Sequence, residues 1–136
     1  MDGLTQVLVG VHSIWRYVVL VTAFLAIGNM LMGFLEKRAW KVADARIGRY
    51  FVIAIDLEIL FGVLIWLLQT RWDGADLLRS WRHPALMLLA ALVAHYGWWR
   101  ARRIPIERAR FGLLTMYFVI AGIVIVLGVL QIQGVF

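Results

Sequence analysis

The sequence predicts an all-α fold: an integral membrane bundle of four helices running up and down in a single domain. Three observations lead there. The chain of 136 residues is 63% hydrophobic with a mean hydropathy of +0.84, whereas a soluble domain is usually about 45–50% apolar. Four apolar runs each have the length that a helix needs to cross a hydrocarbon core, about 20 residues. The basic residues collect in alternate loops, the charge pattern of a multi-pass protein.

The first run covers residues 6–34, long enough to tilt or to begin in the interface. Its opening, "MDGLTQVLVGVHSIWRY", has no basic leader ahead of the apolar stretch, so a span is expected rather than a cleaved signal peptide. The second run covers 50–69 and the fourth 111–132. The third covers 83–99 and starts with Pro84 in its first turn, where a missing N–H is tolerated. Trp40, Trp72, Trp81, Trp98 and Trp99 fall at or near span ends, where amphipathic rings settle at the headgroup level.

The loop "EKRAWKVADARIGR" carries five basic residues (Lys37, Arg38, Lys41, Arg46, Arg49), and "RARRIPIERAR" carries another five (Arg100, Arg102, Arg103, Arg108, Arg110). The middle loop "TRWDGADLLRSWR" has only three arginines. The positive-inside rule makes the first and third loops cytoplasmic, with both termini and the middle loop outside the inner membrane of a bacterium. The formal charge of +6 is thus a topology signal. The lipid bilayer is the expected partner, and no nucleic acid is. The absence of cysteine excludes disulfides, thiolate metal sites, iron–sulfur clusters and haem attached through a CxxCH motif.

Polar residues inside the spans carry the functional argument, because a carboxylate at the bilayer centre costs roughly 2.5–3.5 kcal/mol and must face protein. "IDLEILFG" places Asp56 and Glu58 in the second span. Two positions apart, they point about 200° from each other around a helix. One is expected in the bundle interior, within reach of Arg16 or His95, and the other against a neighbouring helix or subunit. A structural role as interhelical glue and a role in moving protons or contacting a ligand both remain open.

"HSIWRY" sets Arg16 one turn below His12 on the same face of the first helix. Arg16 could neutralise a haem propionate, pair with Glu58 or bond a carbonyl. "HPALMLLAALVAHYG" places His83 and His95 on one ridge, with a rise of about 18 Å between them. His12 and His83 come from different helices at similar depth, as bis-histidine ligation of one haem requires. On the other side of the midplane His95 has only Asp56 and Glu58 for polar company. A mixed histidine and carboxylate metal site is conceivable there.

At these stretches the chain resembles a family of small four-helix bacterial membrane proteins labelled cytochrome b-like, of Bacteroidetes and Chloroflexi type. "HSIWRY", "DLEILFGVLIW", "HPALMLLAALVAHYG" and "RARR" carry the resemblance, which covers nearly the whole chain. His12, Ser13, Arg16, Tyr17, Gly62, His83, Pro84 and Gly97 match its pattern. Many members of the family carry His and Gln where this chain has Asp56 and Glu58, a departure that removes a candidate ligand for an inner haem. The resemblance implies haem b and electron transfer.

The expectation is therefore a cytochrome b-like membrane protein with one haem b between helices 1 and 3. His12 and His83 are its axial ligands and the metal ligands of its iron, and Arg16 partners a propionate or carboxylate. Asp56, Glu58 and His95 form a polar path for protons or a quinone-type ligand. The alternative is a cofactor-free accessory subunit of a larger respiratory or photosynthetic membrane complex. In either case other membrane subunits of a redox complex are the expected partners.

Overall fold

Apolar residues recur on every helix with alternating steps of three and four, and this register builds the bundle. A computed structural model describes residues 2–136 as four helices: α1 Gly3–Glu36, α2 Val42–Leu68, α3 His83–Ala101 and α4 Glu107–Ile132. Between α2 and α3 lie a 3-10 turn, Arg71–Asp73, and a π-helical turn, Leu78–Arg82. The described residues contain no strand.

Along α1 the buried residues Val19, Ala23, Ala26, Met30 and Gly33 step by four and three. Along α4, Phe111, Leu114, Phe118, Ala121, Ile125 and Gly128 do the same. On α2 the series runs Asp44, Gly48, Phe51, Ile55, Glu58 and Ile65, with Gly62 at the intervening step. On α3 it runs Ala90, Ala94, Gly97 and Ala101. An average step of 3.5 is the repeat of a left-handed helical bundle, in which each seam keeps facing its partners. Phe51, Phe111, Phe118, Met30 and Leu114 fill the centre without solvent contact. Phe51 and Phe118 meet edge to face with centroids 5.0 Å apart, a favoured aromatic geometry.

The seam of α3 is made of alanine and glycine, so α3 lies close along α4. α1 packs on both α2 and α4, whereas α2 and α3 meet more sparingly. Gly33 is needed at its place, because a Cβ there would collide with the Phe111 ring.

Outside the seams the surface is apolar: Ile14, Phe24, Leu60, Leu92 and Ile123 are all exposed. An inside-out distribution of this extent suits hydrocarbon and would aggregate in water. Three helices, α1, α2 and α4, are long and apolar enough to cross a membrane. α3 has 19 residues, and the π turn prolongs its helical path by five more.

α1, α2 and α4 start ahead of their apolar runs, at Gly3, Val42 and Glu107, whereas α3 starts at His83 as expected. α2 begins eight residues before Tyr50, because Asp44 lies on the seam and its carboxylate is fully engaged. Arg38 donates to it at 2.8 Å, Asn29 at 2.9 Å and the Lys41 amide at 2.7 Å. The last of these bonds caps the helix. The helical path leading into α3 begins before Pro84, in the π turn. Proline has no N–H for the carbonyl four residues back, which is that of Ser80. That carbonyl instead accepts the Trp66 indole N–H at 2.9 Å, tying the end of α2 to the start of α3.

The opposite, basic end is sewn together by its own arginines. Arg108 and Arg110 donate to the Phe34 and Ile104 carbonyls, and Glu107 accepts the Trp40 amide at 3.1 Å. Arg38, Arg103, Arg108 and Arg110 lie over the rings of Phe111, Trp99, Phe34 and Trp40.

Candidate functional site

At the end of the bundle away from the basic loops the same seams change character. Extending the three-four register of α1 backwards from Val19 reaches Arg16 and His12. Extending that of α3 backwards from Ala90 reaches Met87 and His83. On α2 the corresponding positions are Glu58 and Gly62, and on α4 Gly128. Seam positions face the centre by construction, so polar and small residues there open a cavity instead of filling one.

The cavity measures about 550 Å³ and draws walls from all four helices and the α2–α3 loop. Its polar groups include His12, Arg16, Glu58, His83, Arg71 and Arg79, set among apolar side chains such as Val19, Ile55, Met87 and Ile125. The size and the apolar lining with a few convergent polar groups suit an organic ligand or cofactor.

The His12 and His83 rings stand with centroids 6.5 Å apart and planes at 84°. His12 Nδ1 lies 3.3 Å from Glu58 Oε1, a contact whose line is too poor for a hydrogen bond. Glu58 is nearly buried. Gly62 gives the His12 ring its room, since a Cβ there would come to 3.3 Å from Cε1 of the imidazole. Gly128 does the same for α3: a Cβ on it would collide with Met87 and reach 3.8 Å from His83 Nδ1.

Four buried polar atoms of this cavity, His12 Nδ1, Arg16 Nε, Glu58 Oε2 and His83 Nδ1, have no hydrogen-bond partner among the described residues. Buried groups are normally satisfied, by protein, water or ligand. Such a concentration gives this cavity several groups that can hydrogen-bond water or a ligand.

The loop forms one wall of the cavity. Trp66 meets Trp72 and Trp81 edge to face, each with centroids 5.7 Å apart. Arg71 is held by Gln69, and burial pulls its guanidinium below its ordinary value, though it stays cationic at physiological pH. Arg79 bonds Asp76 at 2.8 Å, which holds that carboxyl below the usual carboxylate range.

The residues singled out in the sequence are thus divided. His12, Arg16, Glu58 and His83 share the cavity. Glu58 is the interior carboxylate, but its neighbour is His12; neither of the partners expected for an interior carboxylate, Arg16 or His95, takes that place. Arg16 lies 5.4 Å from the centroid of the Tyr17 ring and leaves Nε free.

Asp56 and His95 do not join Glu58 in one cluster. They bond each other at 2.6 Å on the α2–α3 surface, both about half exposed, at 47% and 50%. Each sits one residue past a seam position, Ile55 and Ala94, and is turned outward for that reason. Among the described residues no three His, Asp or Glu side chains converge as a metal group. Arg71, Arg79, Trp66 and Gly128 were not apparent as site residues; the three-four register would have found Gly128, whereas the others depend on how the loop folds back.

No protein-family model matches the chain, and no curated protein or solved structure is similar to it, so its function is argued from this geometry and the residues that form it.

Proposed function

We infer that the protein is a cytochrome b-like integral membrane protein of electron transfer, holding one haem b between α1 and α3 with His12 and His83 as axial ligands. The spacing of the two imidazoles carries this reading. Two rings bound on opposite sides of one metal, each through a nitrogen at about 2.0 Å, have centroids roughly 6 Å apart. His12 and His83 stand at 6.5 Å.

The surrounding groups support the same occupant. Metal-bound histidine usually directs its second nitrogen at a carboxylate or carbonyl, which sets the tautomer and raises ligand basicity. Glu58 beside Nδ1 of His12 is such a carboxylate, leaving Nε2 for iron. Arg16, Arg71 and Arg79 would hold the propionates through charge-assisted hydrogen bonds. Haem b held this way supplies a one-electron iron couple. The apolar walls would lower the polarity around the group, and a carboxylate at Glu58 would favour its oxidised state.

Of the residues expected to form a polar path, Asp56 and His95 would serve as the contact for protons or a quinone-type ligand in this reading, while Glu58 faces His12 instead. Its support is the short bond between Asp56 and His95 on an apolar surface, where a lipid-soluble quinone can arrive from the bilayer. All four helices cross the inner membrane of a bacterium, the basic loops lie in the cytoplasm and both termini lie outside. The support for this is the asymmetry of basic residues between the loops.

The test is an absorption spectrum of the gently purified protein, oxidised and dithionite-reduced. A low-spin b-type spectrum is expected. A wild-type protein without a Soret band would remove haem and leave the second reading, a cofactor-free accessory subunit of a larger respiratory or photosynthetic membrane complex. One observation favours that reading: a polar pair such as Asp56 and His95, exposed within an apolar surface, is accounted for if another membrane subunit covers it.

A further inference from the structure

A second pocket lies at the basic end, remote from the histidines. It measures about 180 Å³, between the start of α2, the end of α3 and the start of α4. Arg49, Arg102 and Arg110 line it, with the indoles of Trp40 and Trp98 as walls.

Its charge is uncompensated. Asp44 is taken by Arg38 and Asn29, and Glu36 lies 4.0 Å from Arg38. Glu107, which accepts the Trp40 amide and keeps its charge, lies outside the lining and, among the described residues, forms no ion pair with these arginines. No carboxylate lines the pocket. Among the described residues the guanidinium groups of Arg49 and Arg102 make no hydrogen bond or ion pair. Arg110 is anchored by the Ile104 carbonyl and lies over the Trp40 ring. Three guanidiniums around one hollow repel each other unless an anion joins them, and their planar forks match phosphate oxygens. The volume is well below that of sites for drug-sized ligands, about 300–1,000 Å³, so it admits a headgroup rather than a nucleotide. The tryptophan walls and the apolar helix surfaces alongside belong to the lipid interface.

We propose that this pocket binds a phosphate group, and that its source is the headgroup of an anionic phospholipid. Basic pockets between membrane helices recognise such headgroups by charge and by guanidinium–phosphate hydrogen bonds. The site is independent of whether the histidine cavity holds haem.

The test is native mass spectrometry and thermal melting of the whole protein in detergent, titrated with phosphatidylglycerol, cardiolipin, phosphatidylcholine or inorganic phosphate. The two anionic lipids should be retained and should raise the melting temperature, phosphatidylcholine should not, and the effect should weaken with salt. Arg49→Gln with Arg102→Gln should reduce affinity roughly 30-fold. Arg46→Gln with Arg100→Gln, from the same loops but outside the pocket, should leave it within about twofold. Arg110 is spared because it also holds the α3–α4 turn. Equal retention of phosphatidylcholine, or unchanged affinity in the Arg49/Arg102 variant, would overturn the site. Protection by inorganic phosphate with no response to anionic lipid would overturn the lipid as its source.

Discussion

His12 on α1 and His83 on α3 face each other across the bundle with ring centroids 6.5 Å apart, although these two helices scarcely touch elsewhere. The contact exists because both residues occupy core positions of their helices where Gly62 and Gly128 leave space beside them. If the pair ligates haem, His12→Ala and His83→Ala should each abolish or convert the low-spin spectrum. His95→Ala should leave it intact, as His95 lies outside the cavity. Reduced-minus-oxidised difference spectra of the three variants check this.

Gly62→Val is expected to act on the same spectrum without touching a ligand. Even a Cβ at this position comes to 3.3 Å from the His12 ring, and the two methyl groups of valine must displace it. The expected outcome is loss or conversion of the low-spin bands with the helical circular dichroism unchanged.

Asp44 is 2% exposed and bonds Arg38, Asn29 and the Lys41 amide. Asp44→Ala leaves the Arg38 charge unpaired beside the core and uncaps α2, so a loss of about 2–4 kcal/mol is expected. Arg38→Ala should cost a similar amount. Thermal melts in detergent should show the double variant losing much less than the sum of the two, the signature of a coupled pair.

Asp56→Asn should change stability by less than about 1 kcal/mol, because its bond to His95 is half exposed and an amide can replace it. A proton path through the pair would still be interrupted. The prediction is a protein that melts normally but exchanges electrons with a quinol more slowly than wild type, measured by stopped-flow reduction.

For topology, Ala43→Cys should resist an impermeant thiol reagent on intact cells while Asp76→Cys is labelled. The reverse pattern would invert the membrane orientation drawn from the basic loops.

Much of the fold was legible because lipid demands long apolar helices, and four of them stand out from the loops. Shared depth was enough to bring His12 and His83 together. What depth could not give was azimuth. Asp56 and Glu58 were known to point apart, but which of them faces inward depends on the helix register. The series Asp44, Gly48, Phe51, Ile55 and Glu58 decides it, and the charge on its first member hid the start of that series. The partner of Glu58 was missed for a related reason: Arg16 has the complementary charge, but it is His12, a turn away on α1, that lies 3.3 Å from the carboxylate. The loop tryptophans and Arg71 carry no period, so their place beside the cavity depends on tertiary folding alone.

The bond from Trp66 to the Ser80 carbonyl gives Pro84 an unusual status. In most helices a proline in the first turn lacks only an N–H that would have no intrahelical partner anyway. Here the amide that alanine would introduce at position 84 would be a rival suitor for the one carbonyl that the indole already occupies. If that amide drew the carbonyl away from Trp66, the wall that the indole shares with Trp72 and Trp81 would lose a tie. The irregularity at the head of α3 is therefore a fastening, and straightening it would loosen that wall.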